Sequence, residues 1–183
     1  MEHSQESIPK KHTLFVILST LFITNALIAE VIGAKILSVQ KLFPFFDGFN
    51  LDINMSVGVL IWPIVFILSD VINEYFGRSG VKRISFIGAA MITYAFLIIF
   101  MATEAPPADF WLSNNATDPT GNPFNIDYAY SSIFRQGLNI IIGSIIAFIV
   151  GQLVDAYTFH YIRVLTQHRW LWLRATGSTV VSQ

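Results

Sequence analysis

The chain has 183 residues, of which 54% are hydrophobic and only 13% charged, with a mean hydropathy of +0.58. A soluble domain carries about twice that charged fraction, so composition argues for a membrane protein. The formal net charge of −1 supplies no basic field for nucleic acid, and the absence of cysteine excludes disulfides, thiolate metal sites and thiol chemistry.

Residues 1–12 are polar, mixing Glu2 and Glu6 with Lys10 and Lys11. The apolar stretch that follows is too long for a signal-peptide core, and no small-residue cleavage pattern closes it. It reads as the first transmembrane helix. A spanning helix needs roughly 20 mostly apolar residues. Hydropathy predicts spans over residues 14–37, 55–76, 84–103 and 133–159, and a fifth opening near residue 175. The fold class is thus all-α, a polytopic membrane helix bundle forming one domain over residues 1–183. Gly77 and Gly80 mark a tight connection between the second and third spans. The longest loop, residues 104–132, holds Pro106, Pro107, Pro119, Gly121 and Pro123 as breakers. Inside it, Phe110, Trp111 and Leu112 suit a short aromatic element at the membrane interface.

Lys and Arg predict the orientation. Lys10 and Lys11, then Arg78, Lys82 and Arg83, then Arg163, Arg169 and Arg174 fall on one side. The long loop instead carries Glu104, Asp109, Asp118 and Asp127. By the positive-inside rule the N-terminus is cytoplasmic and the acidic loop faces out. Trp170 and Trp172 beside Arg169 and Arg174 read as an interfacial belt. The last nine residues are too few to cross a bilayer, so the chain reads as stopping inside a helix, one to two spans short. On that reading the 183-residue form alone is expected to be unstable in detergent and inactive.

Polar residues inside the spans are the candidate binding groups, because an ion at the bilayer centre costs at least about 2.5–3.5 kcal/mol unless it faces a cavity or a partner. The first span carries Asn25 near its middle, then Glu30 and Lys35. The second carries Asp70, Asn73 and Glu74, at i, i+3 and i+4 and so on one face. The fourth carries Gln152 and Asp155, with Ser144, Phe148 and Gly151 on nearly the same stripe. Asn25, Asp70, Gln152 and Asp155 lie deepest. Structural roles suffice for Glu74 as an i+4 partner of Arg78, for Lys35 beside Glu30 or reaching water, and for Arg135 as an outer anchor. Trp62-Pro63 predicts a kink within the second span, of a kind that lines transport sites but is also simply common in membrane helices.

No H-E-x-x-H zinc motif, phosphate-binding glycine loop or G-x-S-x-G elbow occurs. His3, His12, His160 and His168 lie outside the spans or at their ends, which argues against clustered metal ligation. No enzymatic activity, cofactor or metal is expected.

The text from Trp62 to Gly77 places Pro63, Phe66, Ser69-Asp70, Glu74 and Gly77 in the pattern P-x-x-F/Y-x-x-S/T-D-x-x-x-E-x-x-G. It resembles the corresponding helix of the queuosine-precursor transporter family, also called the vitamin uptake transporters. Arg135 with Gly151-Gln-Leu-Val-Asp155, and the text from Trp172 to Gln183, agree with that family in order. The resemblance implies six helices, of which this chain holds four and the start of a fifth. It also implies uptake of 7-deazaguanine bases across the bacterial inner membrane. A carboxylate or amide can accept adjacent N–H groups of such a purine-like base, and Trp62, Phe66 or Tyr157 suit its flat face. Asp70 and Asp155 equally suit proton carriers. Two other classes stay open: a substrate-binding membrane subunit of an ATP-driven vitamin uptake system, and a non-transporting membrane scaffold. The first predicts that uptake fails when this protein is the sole added component. The second predicts that the intramembrane carboxylates can be neutralised without loss of solute flux.

Overall fold

The computed structural model describes residues 10–43, 45, 53–166, 176, 177 and 180. Three helices are long and apolar enough to cross a membrane: α1 (Lys10–Ile32), α3 (Trp62–Glu104) and α6 (Ile141–Leu165). Between them stand α2 (Val39–Leu42), α4 (Asp109–Asn114) and α5 (Ile126–Arg135), with strands β1 (Ile36–Ser38) and β2 (Asn54–Ser56). The long helices are apolar on both faces. Phe22 and Ala26 of α1, Ile72 and Ile84 of α3 and Phe148 and Ala156 of α6 pack inward. Ile17 and Leu21, Ile67 and Leu97, and Ile142 and Val150 stand exposed on the outside. A helix that is apolar all round belongs in lipid or a large core, and this bundle has no further layer among the described residues. The protein is a helical, multi-pass membrane protein.

α3 runs for 43 residues, which if straight would span about 65 Å, twice the hydrocarbon core of a bilayer. It is not straight. Gly77 has φ 68° and ψ −178°, a conformation essentially confined to glycine. The Trp62 ring lies 5.9 Å from the ring of Phe148, and a Cβ on Gly88 would sit 3.5 Å from that same Phe148 ring. Twenty-six residues of straight helix would hold those two points about 39 Å apart. The chain therefore reverses at Gly77, and residues 62–76 and 78–104 are two legs. The tight connection expected around Gly77 is present, but it is a single glycine, and helix resumes before residue 84.

Several expected boundaries move. The first span ends at Ile32, not residue 37, because the backbone of residues 35–38 pairs outward with 54–57. Ile36 faces Ser56 and Ser38 faces Asn54 in an antiparallel ladder, and Val57 N–H donates to Lys35 O at 2.8 Å. The all-α expectation thus misses a two-stranded clasp, since a short apolar run does not tell strand from helix. Residues 57–60 form a 3-10 turn, so the second span opens at Trp62 rather than 55. Pro63 falls in the first turn of α3, where its missing N–H costs nothing; the kink expected there does not exist. The span expected over 133–159 is two helices. α5 is capped by Asn125, whose Oδ1 accepts from Tyr128 N–H at 2.9 Å. A turn over 136–140 separates it from α6, which continues to Leu165. The aromatic element of the long loop is α4, with Trp111 edge-on to Tyr130 of α5 at 6.3 Å. Trp170, Trp172, Arg169, Arg174 and most of the expected fifth span lie outside the described residues; Thr176, Gly177 and Val180 are helical.

Candidate functional site

α6 turns one line of side chains toward α1 and α3. Ser144, Phe148 and Gln152, at i, i+4 and i+8, share that face. They border a cavity of about 250 Å³ lined on the other sides by Glu30 of α1 and by Trp62 and Phe66 of α3. Its walls are aromatic: Trp62 stacks on Phe66 with centroids 5.8 Å apart and meets Phe148 at 5.9 Å. Its ends are polar. Glu30 Oε2 accepts from Ser144 Oγ at 2.6 Å. Gln152, 2% exposed, has its Oε1 held by the hydroxyl of Ser69 at 2.9 Å.

Beyond Gln152 the α3–α6 contact carries a column of polar groups toward the Gly77 reversal. Asn73 is buried and its Nδ2 donates to Ala156 O at 3.3 Å. Asp155 is buried on α6 and its carboxylate interacts electrostatically with that of Asp70. One Asp70 oxygen, Oδ1, is buried with no hydrogen-bond partner among the described residues. Two like charges in a medium of low dielectric repel strongly, so the two carboxyls are coupled. At the end of the column Glu74 faces Arg163 at 3.7 Å. The expected i+4 partner, Arg78, instead lies over the Tyr157 ring at 5.2 Å. The tertiary neighbour prevails because Glu74 points across to α6 rather than along its own helix.

The structure brings Glu30, Trp62 and Gln152 into one cavity, and sets Asp70, Asn73, Glu74 and Asp155 along the contact beside it. Asn25 stands apart, its Nδ2 donating to Leu21 O of its own helix at 2.8 Å. Lys35 is exposed beside the strand clasp, not paired along α1. Arg135 sits on α5 as an anchor to α3: its Nε donates to Thr103 Oγ1 at 2.9 Å, and its guanidinium pairs with Glu104. Tyr157 is exposed and does not line this cavity. Two groups have roles that the sequence did not single out. Ser69 was legible only as the neighbour of Asp70, and Ser144 only as a member of the α6 stripe.

A partly open cavity with polar ends and aromatic walls, set among membrane helices with buried carboxylates, is the candidate small-molecule site of the bundle. The profile of the family described as "Putative vitamin uptake transporter" matches residues 56–183, and the chain belongs to that family. A curated protein of Bacillus subtilis (strain 168), named "Probable queuosine precursor transporter", is 26% identical over 132 residues, covering 72% of this chain and 52% of the relative. The chain thus spans about half the length of the curated relative it matches. No solved structure matches it.

Proposed function

We propose that the protein imports queuosine precursors, 7-deazaguanine bases such as 7-cyano-7-deazaguanine, across the bacterial cytoplasmic membrane. The observation that carries this is the aromatic cavity between Glu30 and Gln152. A flat base lies against Trp62, Phe66 and Phe148, and its polar edges meet a carboxylate and an amide. The name of the Bacillus relative supports the substrate class. α1, the two legs of α3 and α6 make four crossings. Lys11, His12 and Arg83 border one pocket, and Arg78 and Lys82 another, at the end of the bundle that holds the Gly77 reversal. That concentration of cations supports a cytoplasmic N-terminus.

Asp70 and Asp155, with Asn73 and Glu74, form the route from the cavity to the inner surface, and the two aspartates couple uptake to the proton gradient. Expression of the full-length gene in a strain lacking its own precursor uptake should restore queuosine in tRNA when the base is supplied outside. Failure to do so with the protein present in the membrane would overturn the reading. Asp155→Asn should lower proton-driven uptake at least about tenfold, while exchange of labelled base across the membrane without a gradient persists. Proton-driven uptake equal to the parent's removes Asp155 from the coupling role.

A further inference from the structure

We infer that Ser69 is a positioning residue that turns the Gln152 amide so that its Nε2 faces the cavity. Gln152 and Glu30 then read a flat, fused-ring ligand by a hydrogen-bond acceptor at one end and an N–H donor at the other. This rests on the transport reading only in taking the cavity as the substrate site.

Ser69 is 0% exposed and its hydroxyl donates to Gln152 Oε1. A glutamine amide has one acceptor oxygen and one donor nitrogen, so anchoring the oxygen on α3 commits the nitrogen to the other side. Among the described residues nothing accepts a hydrogen bond from that Nε2, although Gln152 is buried and lines the cavity. A donor that opens onto the cavity with no protein acceptor is free to bond a ligand carbonyl or ring acceptor there. At the opposite end the Ser144 hydroxyl occupies Glu30 Oε2, which leaves Oε1 to accept from a ligand N–H. Ser144 and Gln152 are eight residues apart on one helix, about 12 Å along its axis, with Phe148 midway. A ligand that touches both ends must therefore be longer than a single ring. It must also be flat, to lie among Trp62, Phe66 and Phe148.

The test is binding to the purified full-length protein, followed by calorimetry, of two rings that differ along one edge. 7-Deazaguanine carries a carbonyl and a protonated ring nitrogen where 2,6-diamino-7-deazapurine carries an amino group and a bare ring nitrogen, and both keep the pyrrole N–H donor of the second ring. The parent protein should favour the carbonyl ring by about ten- to a hundredfold. Ser69→Ala frees the amide to turn either way and should bring the ratio to within about threefold, while Ser69→Thr keeps a hydroxyl and restores it. Gln152→Glu replaces the donor with an acceptor and should reverse the preference. Glu30→Gln should weaken both rings alike, since it faces the end they share. A parental ratio near one, a parental ratio retained in Ser69→Ala, or binding of neither ring would overturn the assignment. Should Gln152→Glu fail to fold, the Ser69 pair still decides. Binding with the expected ratios in a protein that moves no base in cells would count against the transport reading alone.

Discussion

Asp118 shows how much a single exposed side chain organises in the loop between α4 and α5. Its Oδ1 accepts from the Thr120 hydroxyl at 2.7 Å and from the backbone N–H groups of Thr120 and Asn122, both at 2.9 Å. These bonds favour the ionised form, the Thr120 hydroxyl foremost, and hold the carboxyl below its usual range. A depressed carboxyl contributes stability that is present above its unfolded pKa and is lost as pH falls through the folded value. The 117–123 turn should therefore stay protected at neutral pH and open below the ordinary carboxylate range. Hydrogen exchange of that segment measures this, and Asp118→Ala should show the acid level of exchange already at neutral pH. Protection that does not change with either would remove the carboxylate from the turn. Asn25 teaches the converse. Its depth marked it as a candidate, and its Nδ2 donates to Leu21 O of its own helix, because a polar side chain can satisfy itself locally.

At the scale of elements, two glycines decide how the helices meet. Gly77 reverses α3 with nothing within 4 Å of where a Cβ would stand, so the cost of a side chain there is purely conformational. Gly77→Ala should destabilise the bundle by about 1–3 kcal/mol, read as a lower melting temperature in detergent. Gly58, in the 3-10 turn before α3, is tight rather than strained: a Cβ would lie 2.9 Å from the backbone oxygen of Ala29. A backbone atom cannot swing aside as a side chain can, so Gly58→Ala should push α1 away at a cost of about 1–3 kcal/mol. Because Trp62 Nε1 is also close, at 3.5 Å, the same variant should change Trp62 fluorescence. An unchanged melting temperature and emission would show that the α1 contact is looser than drawn. The existence of the apolar helices was legible in hydropathy. Their ends were not, because the clasp of 36–38 with 54–56 and the turn over 136–140 depend on partners remote in sequence.

For the whole molecule, the prediction is topological. The N-terminal end of α1 and the Gly77 reversal share one end of the bundle, where Lys11, His12 and Arg83 meet. Arg135, Thr103 and Glu104 hold α5 to the far end of α3. With the basic end in the cytoplasm, a cysteine placed at Asn115 should react with an impermeant thiol reagent added outside intact cells. One placed at Ser79 should react only after permeabilisation. The reverse pattern would invert the orientation while leaving the bundle intact.

Sequence alone determined the membrane class, the reversal near Gly77 and the polar residues available to a site. Each of these follows from local composition, which lipid enforces residue by residue. The tertiary structure decided which polar groups meet. Glu30 reaches Ser144 across 114 positions, Ser69 reaches Gln152 across 83, and Glu74 faces Arg163 rather than Arg78. Helical periodicity puts residues on a face, but it does not say which face of another helix lies opposite. That choice comes from packing, here of Phe22, Gly88 and Phe148 against one another.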